Sequence, residues 1–199
     1  MRSAALRLVE NDPPTILSVA TAVPRFRLDQ AGVARAAMHV FDRERSDIER
    51  LMPVFDNAGV ATRHSSVPMD WYFDPHGWRE RNQRYIANAV ELLGKAAAEA
   101  LGQAGRTPGD IAAVVVVSTT GIATPSLDAV LLNRLDLPPT ILRLPIFGLG
   151  CAGGVIGLSH AAALARTLPD GDVLFLAVEL CSVTFRRGDM AKNNIIGAA

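Results

Sequence analysis

Ile111-Ala112-Ala113-Val114-Val115-Val116-Val117 is an unbroken apolar run with no polar residue alternating through it. A strand with one wet face shows that alternation, so a run without it belongs between two covered faces, as in a parallel sheet. Parallel neighbours need crossover connections long enough to hold a helix. The following residues supply them. Helical spacing runs from Ser126 to Leu135, strand-like residues from Thr140 to Pro145, a second helix from Cys151 to Thr167, and a further strand from Val173 to Val178. This alternation predicts a βαβαβ unit with right-handed crossovers, and hence an α/β fold.

The first half is less regular. Thr15 to Ala20 is a short β-branched run that reads as a first strand. Leu28 to Phe41 and Arg45 to Phe55 carry helical periodicity, which Asn57-Ala58-Gly59-Val60 breaks. Thr62 to Trp78, with its prolines, glycine and aromatics, reads as an irregular surface segment. From Arg79 to Gly102 a long amphipathic helix places Ile86, Val90, Leu93, Ala97 and Leu101 on one face. The helix after Cys151 is apolar nearly all round, which predicts enclosure by protein. Residues 1–14 read as an N-terminal extension and 15–199 as one domain.

With 49% hydrophobic residues among 199, the chain can bury a sizeable core. Its 20 basic residues balance 20 acidic ones without a basic stripe, which argues against nucleic acid or an anionic membrane as partner. No stretch approaches the roughly 20 apolar residues of a membrane span, and the N-terminus lacks the pattern of a secretory signal. Two cysteines form neither a disulfide framework nor a metal site by spacing. The expectation is a soluble, cytoplasmic protein without a metal.

Cys151 stands in Ile146-Phe147-Gly148-Leu149-Gly150-Cys151-Ala152-Gly153-Gly154, between a strand and a helix. A thiol at a helix start faces unpaired backbone N–H groups and the positive end of the helix dipole, an environment that favours thiolate. Flanking glycines leave room for a substrate carbonyl. The pattern suits a nucleophile for acyl transfer, set against the commoner fate of a lone cysteine as a buried core residue. Leu149 holds the place of the first glycine of a Gly-x-nucleophile-x-Gly elbow, so an α/β-hydrolase fits less well. No phosphate-loop pattern is present.

Three segments carry a resemblance: Ser118-Thr119-Thr120-Gly121-Ile122-Ala123-Thr124-Pro125, Gly150-Cys151-Ala152-Gly153-Gly154, and Val178-Glu179-Leu180-Cys181-Ser182-Val183-Thr184-Phe185-Arg186. In order and spacing the chain resembles a type III polyketide synthase, of the chalcone synthase-like branch of the thiolase superfamily, from about Thr15 to its last residue. Met69-Asp70-Trp71-Tyr72 and Phe147-Gly148-Leu149-Gly150 look more like bacterial alkylpyrone and alkylresorcinol synthases than plant enzymes.

The resemblance implies a thiolase-like fold with αβαβα layers, of which this chain is the N-terminal half only. It implies a homodimer that uses acyl-CoA and malonyl-CoA as substrates and no cofactor, and that makes pyrones or resorcinols from a fatty-acyl starter. Cys151 would be the nucleophile of a Cys-His-Asn triad, whose His and Asn lie in the second half of the family's sequence. Thr119 and Thr120 would line the acyl cavity, and Thr124 a loop that crosses the dimer interface. Cys181 and Thr184 would shape the cavity, and Arg63 would contact the CoA phosphates.

Plainer readings stand beside these. The threonines could cap the next helix, although Ser126 is the more specific cap candidate. Cys181 and Thr184 could be ordinary wall or turn residues, and Arg63 a solvated arginine. His39, His64, His76 and His160 are not assignable as the base. His160 lies nine residues along the helix from Cys151, roughly 13 Å away. Asn193 and Asn194 read as a cap or turn. A 3-oxoacyl-[acyl-carrier-protein] synthase III-like enzyme shares the Cys-His-Asn logic, and a non-catalytic half-domain is a third reading.

Overall fold

In the computed structural model, the described residues are 13–41, 49–168, 170–189 and 191–198. β3 (Ile111–Ser118) is the centre of a parallel three-stranded sheet, flanked by β4 (Leu142–Phe147) and β5 (Asp172–Ala177) in the order β4-β3-β5. Val114 pairs with Arg143 on one side and Leu174 on the other. The apolar run therefore has strands at both edges as well as cover on both faces, as its composition demands.

Alternate residues of β3 point to opposite faces. Val114 and Val116 join the main core with Leu174 and Leu176. That core is closed by α3 (Trp78–Ala104), through Tyr85, Ala89, Leu93 and Ala97, and by α4 (Leu127–Arg134), through Leu127 and Leu131. Gly105, with φ 63°, ends α3 in a left-handed cap that glycine adopts without steric cost. On the opposite face lies α5 (Gly153–Thr167). A Cβ at Gly157 would stand 2.5 Å from Val117 Cγ2 and 2.6 Å from Phe175 Cε2, so glycine there permits close helix–sheet approach.

The predicted α/β alternation is present, with boundaries shifted by one or two residues. The enclosure predicted for the Cys151 helix is not. Gly153, Gly157 and Ala161 are buried against the sheet, but Val155 is 77% exposed, and Ile156 and Leu158 are open as well. Phe147 of β4 is 62% exposed beside them. A helix apolar all round needs cover on two sides, and the described residues cover one.

Three further corrections concern the first half. Residues 15–20 form no strand: a strand exists through its ladder, and no described strand pairs with them. Ile16, Leu17 and Val19 are exposed, and the Ser18 hydroxyl donates to Ala100 O at 2.8 Å. Residues 28–29 are not helical but complete β1 (Phe26–Asp29), after which Asp29 caps α1 (Gln30–Val40) by accepting Gly32 N–H at 2.7 Å. Thr62 to Trp78 is not an irregular surface segment. β2 (Thr62–Ser65) pairs antiparallel with β1, Ser65, Ser66 and Val67 are buried, and Met69–Phe73 forms a 3-10 turn. The pairing with residues 33 to 39 positions earlier fixes this segment, and local sequence does not carry it.

The expected Arg45–Phe55 helix falls partly outside the described residues; residues 49–51 are helical and α2 (Pro53–Asn57) follows. Ala37, Phe41, Phe55 and Ile195 of α6 (Lys192–Ala198) make a second, smaller core. Among the described residues no helix is long and apolar enough to cross a membrane.

Candidate active site

The three segments singled out in the sequence leave the C-terminal ends of the three parallel strands. Ser118 of β3 pairs with Phe147 of β4, so Thr119 emerges beside the Gly148-Leu149-Gly150 turn. On the other side Val117 pairs with Ala177, and Val178 N–H donates to Val117 O at 3.0 Å. Glu179 thus emerges beside Thr120. The outer ends of parallel strands are the usual place for a ligand in open α/β sheets.

Gly148 and Gly150 have φ of 87° and 54°, left-handed conformations that other residues rarely adopt. They fold the chain into the short 3-10 turn Gly150–Ala152 that leads into α5. Cys151 sits in that turn and is exposed. The buried-core alternative for this cysteine is therefore not what the structure holds. Gly150 N–H donates to the Thr119 hydroxyl at 3.0 Å, which ties the turn to the end of β3.

Thr120 is braced twice from the segment that follows β5: its N–H donates to Glu179 Oε2 at 3.0 Å, and its hydroxyl accepts Leu180 N–H at 2.9 Å. Thr119 and Thr120 therefore do not cap α4; their hydroxyls hold neighbouring backbone. Ser126 takes the N-cap position of α4 without a side-chain cap bond. Thr124 lies farther along the same loop and is exposed.

Cys181 and Thr184 belong to the 3-10 turn Cys181–Thr184, where the Thr184 hydroxyl donates to Cys181 O at 2.7 Å. Cys181 is also solvent-accessible, yet protein on one side pushes its thiol above the usual range, with Glu179 and then Cys151 adding to the rise.

Arg63 is not part of this strand-end group. It lies on β2, in the other sheet, where its Nε donates to Gln30 Oε1 at 2.9 Å, and burial lowers its pKa. Half-buried and hydrogen-bonded, Arg63 is not the wholly solvated arginine of the plainer reading.

No described histidine reaches the thiol through a hydrogen bond. His160 is exposed on α5, His64 meets Pro24 O, His39 packs on Phe73, and His76 bridges Glu80 and Trp71 O. Asn194 grips the turn before it: its Oδ1 accepts Arg186 N–H, and its Nδ2 donates to Arg186 O and Asp189 O. Among the described residues no group of three His, Cys, Asp or Glu could hold a metal ion.

Sequence reasoning missed the supports beneath the site. Tyr85 of α3 is fully buried and hydrogen-bonded to Ser118 Oγ; burial, with Glu179 adding, raises its phenol pKa against the lowering effect of that bond. Asn82 clasps Ile122 from both sides, donating to its O at 2.8 Å and accepting its N–H at 2.9 Å. The available signals were a charged Glu179 directly after an apolar strand and a Tyr on the buried face of α3.

Comparisons with known proteins identify the family and the fold. The family model for chalcone and stilbene synthases, N-terminal domain, matches residues 3–199. The chain is 38% identical to a putative chalcone synthase of Bacillus subtilis (strain 168), over 92% of this chain and 52% of that protein. It is 34% identical to 1,3,6,8-tetrahydroxynaphthalene synthase of Streptomyces peucetius subsp. caesius, over 92% of this chain and 49% of that protein. Among solved structures, 1,3,6,8-tetrahydroxynaphthalene synthase of Streptomyces coelicolor A3(2), a bacterial type III polyketide synthase, superposes with a TM-score of 0.84 at 25% identity, covering 91% of this chain and 53% of that one. The chain spans about half the length of these relatives. Its fold is the thiolase-like α/β fold of these enzymes, and the chain belongs to the chalcone and stilbene synthase family of type III polyketide synthases.

Proposed function

We propose that the protein to which this chain contributes is a homodimeric, cytoplasmic acyltransferase that builds polyketides on Cys151. The single observation that carries the reading is the placement of an exposed thiol in a glycine-formed turn, at the shared ends of three parallel strands. In the first step the Cys151 sulfur attacks the carbonyl carbon of an acyl-CoA, with a fatty-acyl starter. The C–S bond to CoA breaks, and the thiol proton leaves with the CoA sulfur.

Malonyl-CoA then loses carbon dioxide, and the resulting enolate attacks the Cys151 thioester. A carbon–carbon bond forms and the cysteine sulfur departs as thiolate. A His and an Asn from the rest of the enzyme would hydrogen-bond the enolate oxygen. Repetition followed by ring closure gives a pyrone or resorcinol. Cys181, Thr119, Thr120, Thr124 and Thr184 would border the growing chain, and Arg63 would meet the CoA phosphates. We take the chain as the N-terminal half of such an enzyme, without turnover alone; the open apolar side of α5 supports this, since it calls for a cover.

The test is turnover of the full-length gene product with a long-chain acyl-CoA and malonyl-CoA. Release of carbon dioxide and CoA with formation of a pyrone or resorcinol is expected. Turnover only with malonyl on a carrier protein would instead make it a ketoacyl-carrier-protein synthase.

A further inference from the structure

A cavity of about 290 Å3 lies between α1, the Met69–Phe73 turn and the segment after Thr184. None of Cys151, Thr119, Thr120, Thr124, Cys181 or Thr184 lines it. Its volume is near the small end of ligand pockets, which run from roughly 300 to 1,000 Å3.

The walls are aromatic and apolar. Phe41, Trp71, Tyr72 and Phe185 line it together with Val33 and Ala37. Tyr72 meets Phe185 edge-on with ring centroids 6.1 Å apart, and Trp71 lies flat on His76 at 3.9 Å. His76 is itself fixed, with one ring nitrogen 2.9 Å from Glu80 Oε2 and the other 2.8 Å from Trp71 O. Such walls favour a flat apolar body over a flexible one, because rings gain from offset and edge contacts.

The rim is cationic. Arg81, Arg186 and Arg187 all line the cavity, opposed there by a single carboxylate, Asp74. Arg81 donates through Nη1 to Thr184 O and Phe185 O, at 3.2 and 3.0 Å, while its Nε is buried with no hydrogen-bond partner. Arg187 donates to Phe73 O. Among the described residues no carboxylate forms an ion pair with Arg81 or Arg186. Burial, and then the like charge of Arg186, both lower the pKa of Arg81.

A buried guanidinium N–H without an acceptor costs free energy that an anion would recover. The Arg186 backbone is pinned by Asn194 on both its N–H and its carbonyl, so the cation is presented on a rigid support.

We propose that this cavity binds a small aromatic carboxylate, with its ring among Phe41, Trp71, Tyr72 and Phe185 and its carboxylate on Arg81 and Arg186. The site is separate from acyl loading, and its failure would leave the reading of Cys151 untouched.

The test uses the full-length gene product and 2-naphthoate, with binding followed by calorimetry and by Trp fluorescence. Saturable binding is expected, at least tenfold tighter than that of the neutral 2-naphthamide and tighter than that of octanoate. Arg81→Gln and Arg186→Gln should each weaken it at least tenfold, while Cys151→Ala binds as the parent does. Thermal unfolding identifies any variant that fails to fold; Arg186→Gln then decides, because the bonds between Arg186 and Asn194 run through the Arg186 backbone, which the substitution keeps. Absence of binding, equal affinity for the amide, preference for octanoate, or parental affinity in Arg186→Gln would each overturn the proposal.

Discussion

The Thr119 hydroxyl at the end of β3 accepts the backbone N–H of Gly150 at 3.0 Å, one residue before Cys151. The bond connects the central strand to the turn that presents the thiol. Its geometry sets where the sulfur stands relative to the strand ends.

Thr119→Val keeps the shape and removes the acceptor, leaving a partly covered N–H unpaired at a cost of about 1–3 kcal/mol. We predict at least a tenfold fall in the rate of acyl transfer to Cys151 in the full-length protein, with Thr119→Ser restoring it. Equal rates in the Val and Ser variants would show that the bond does not position the turn.

Gly157 and Gly154 sit three residues apart on α5 in opposite circumstances. A Cβ at Gly157 meets Val117 and Phe175 within 2.6 Å, while one at Gly154 meets nothing within 4 Å. Gly157→Ala should destabilise by about 1–3 kcal/mol through overpacking. Gly154→Ala should stabilise by about 0.5–1 kcal/mol through helix propensity. Urea unfolding of the two variants, compared with the parent, checks both signs at once.

Cys181 is held above the usual thiol range by burial, then by Glu179 and Cys151. Thiolate, not thiol, reacts with alkylating agents. Its alkylation should therefore be slow at neutral pH and keep rising beyond the range where an ordinary thiol has levelled off. Glu179→Gln removes a negative neighbour and retains an acceptor for Thr120 N–H, so labelling of Cys181 at pH 8 should increase severalfold. Peptide mapping after a short iodoacetamide pulse measures it; an unchanged or lower rate would remove Glu179 from the account.

What could be read from sequence followed the range of the forces involved. The run Ile111 to Val117 declared a strand enclosed on both faces because its composition alone records that burial, and β3 has it. The Asp29 and Gly105 caps are equally local, yet the expected helices started at Leu28 and stopped at Gly102 and did not use them. β2 was not legible, since Thr62-Arg63-His64-Ser65 has no apolar alternation and is a strand only through β1. Thr15 to Ala20 erred the other way: β-branched residues announced a strand for which no described neighbour supplies a ladder. In the site, the glycine-flanked turn at Cys151 was legible from the residues themselves, whereas Thr119 and Thr120 entered only through the family resemblance. Tyr85, Asn82 and Glu179, which brace them, were not legible, because each acts across 33 to 59 residues of chain.

The most direct measurement is intact-protein and peptide mass spectrometry of the full-length gene product after brief exposure to a long-chain acyl-CoA without malonyl-CoA. The account predicts one acyl group per chain, on the peptide carrying Cys151, and none in Cys151→Ala. An acyl group on Cys181 instead, or one retained in the Cys151→Ala protein, would contradict it.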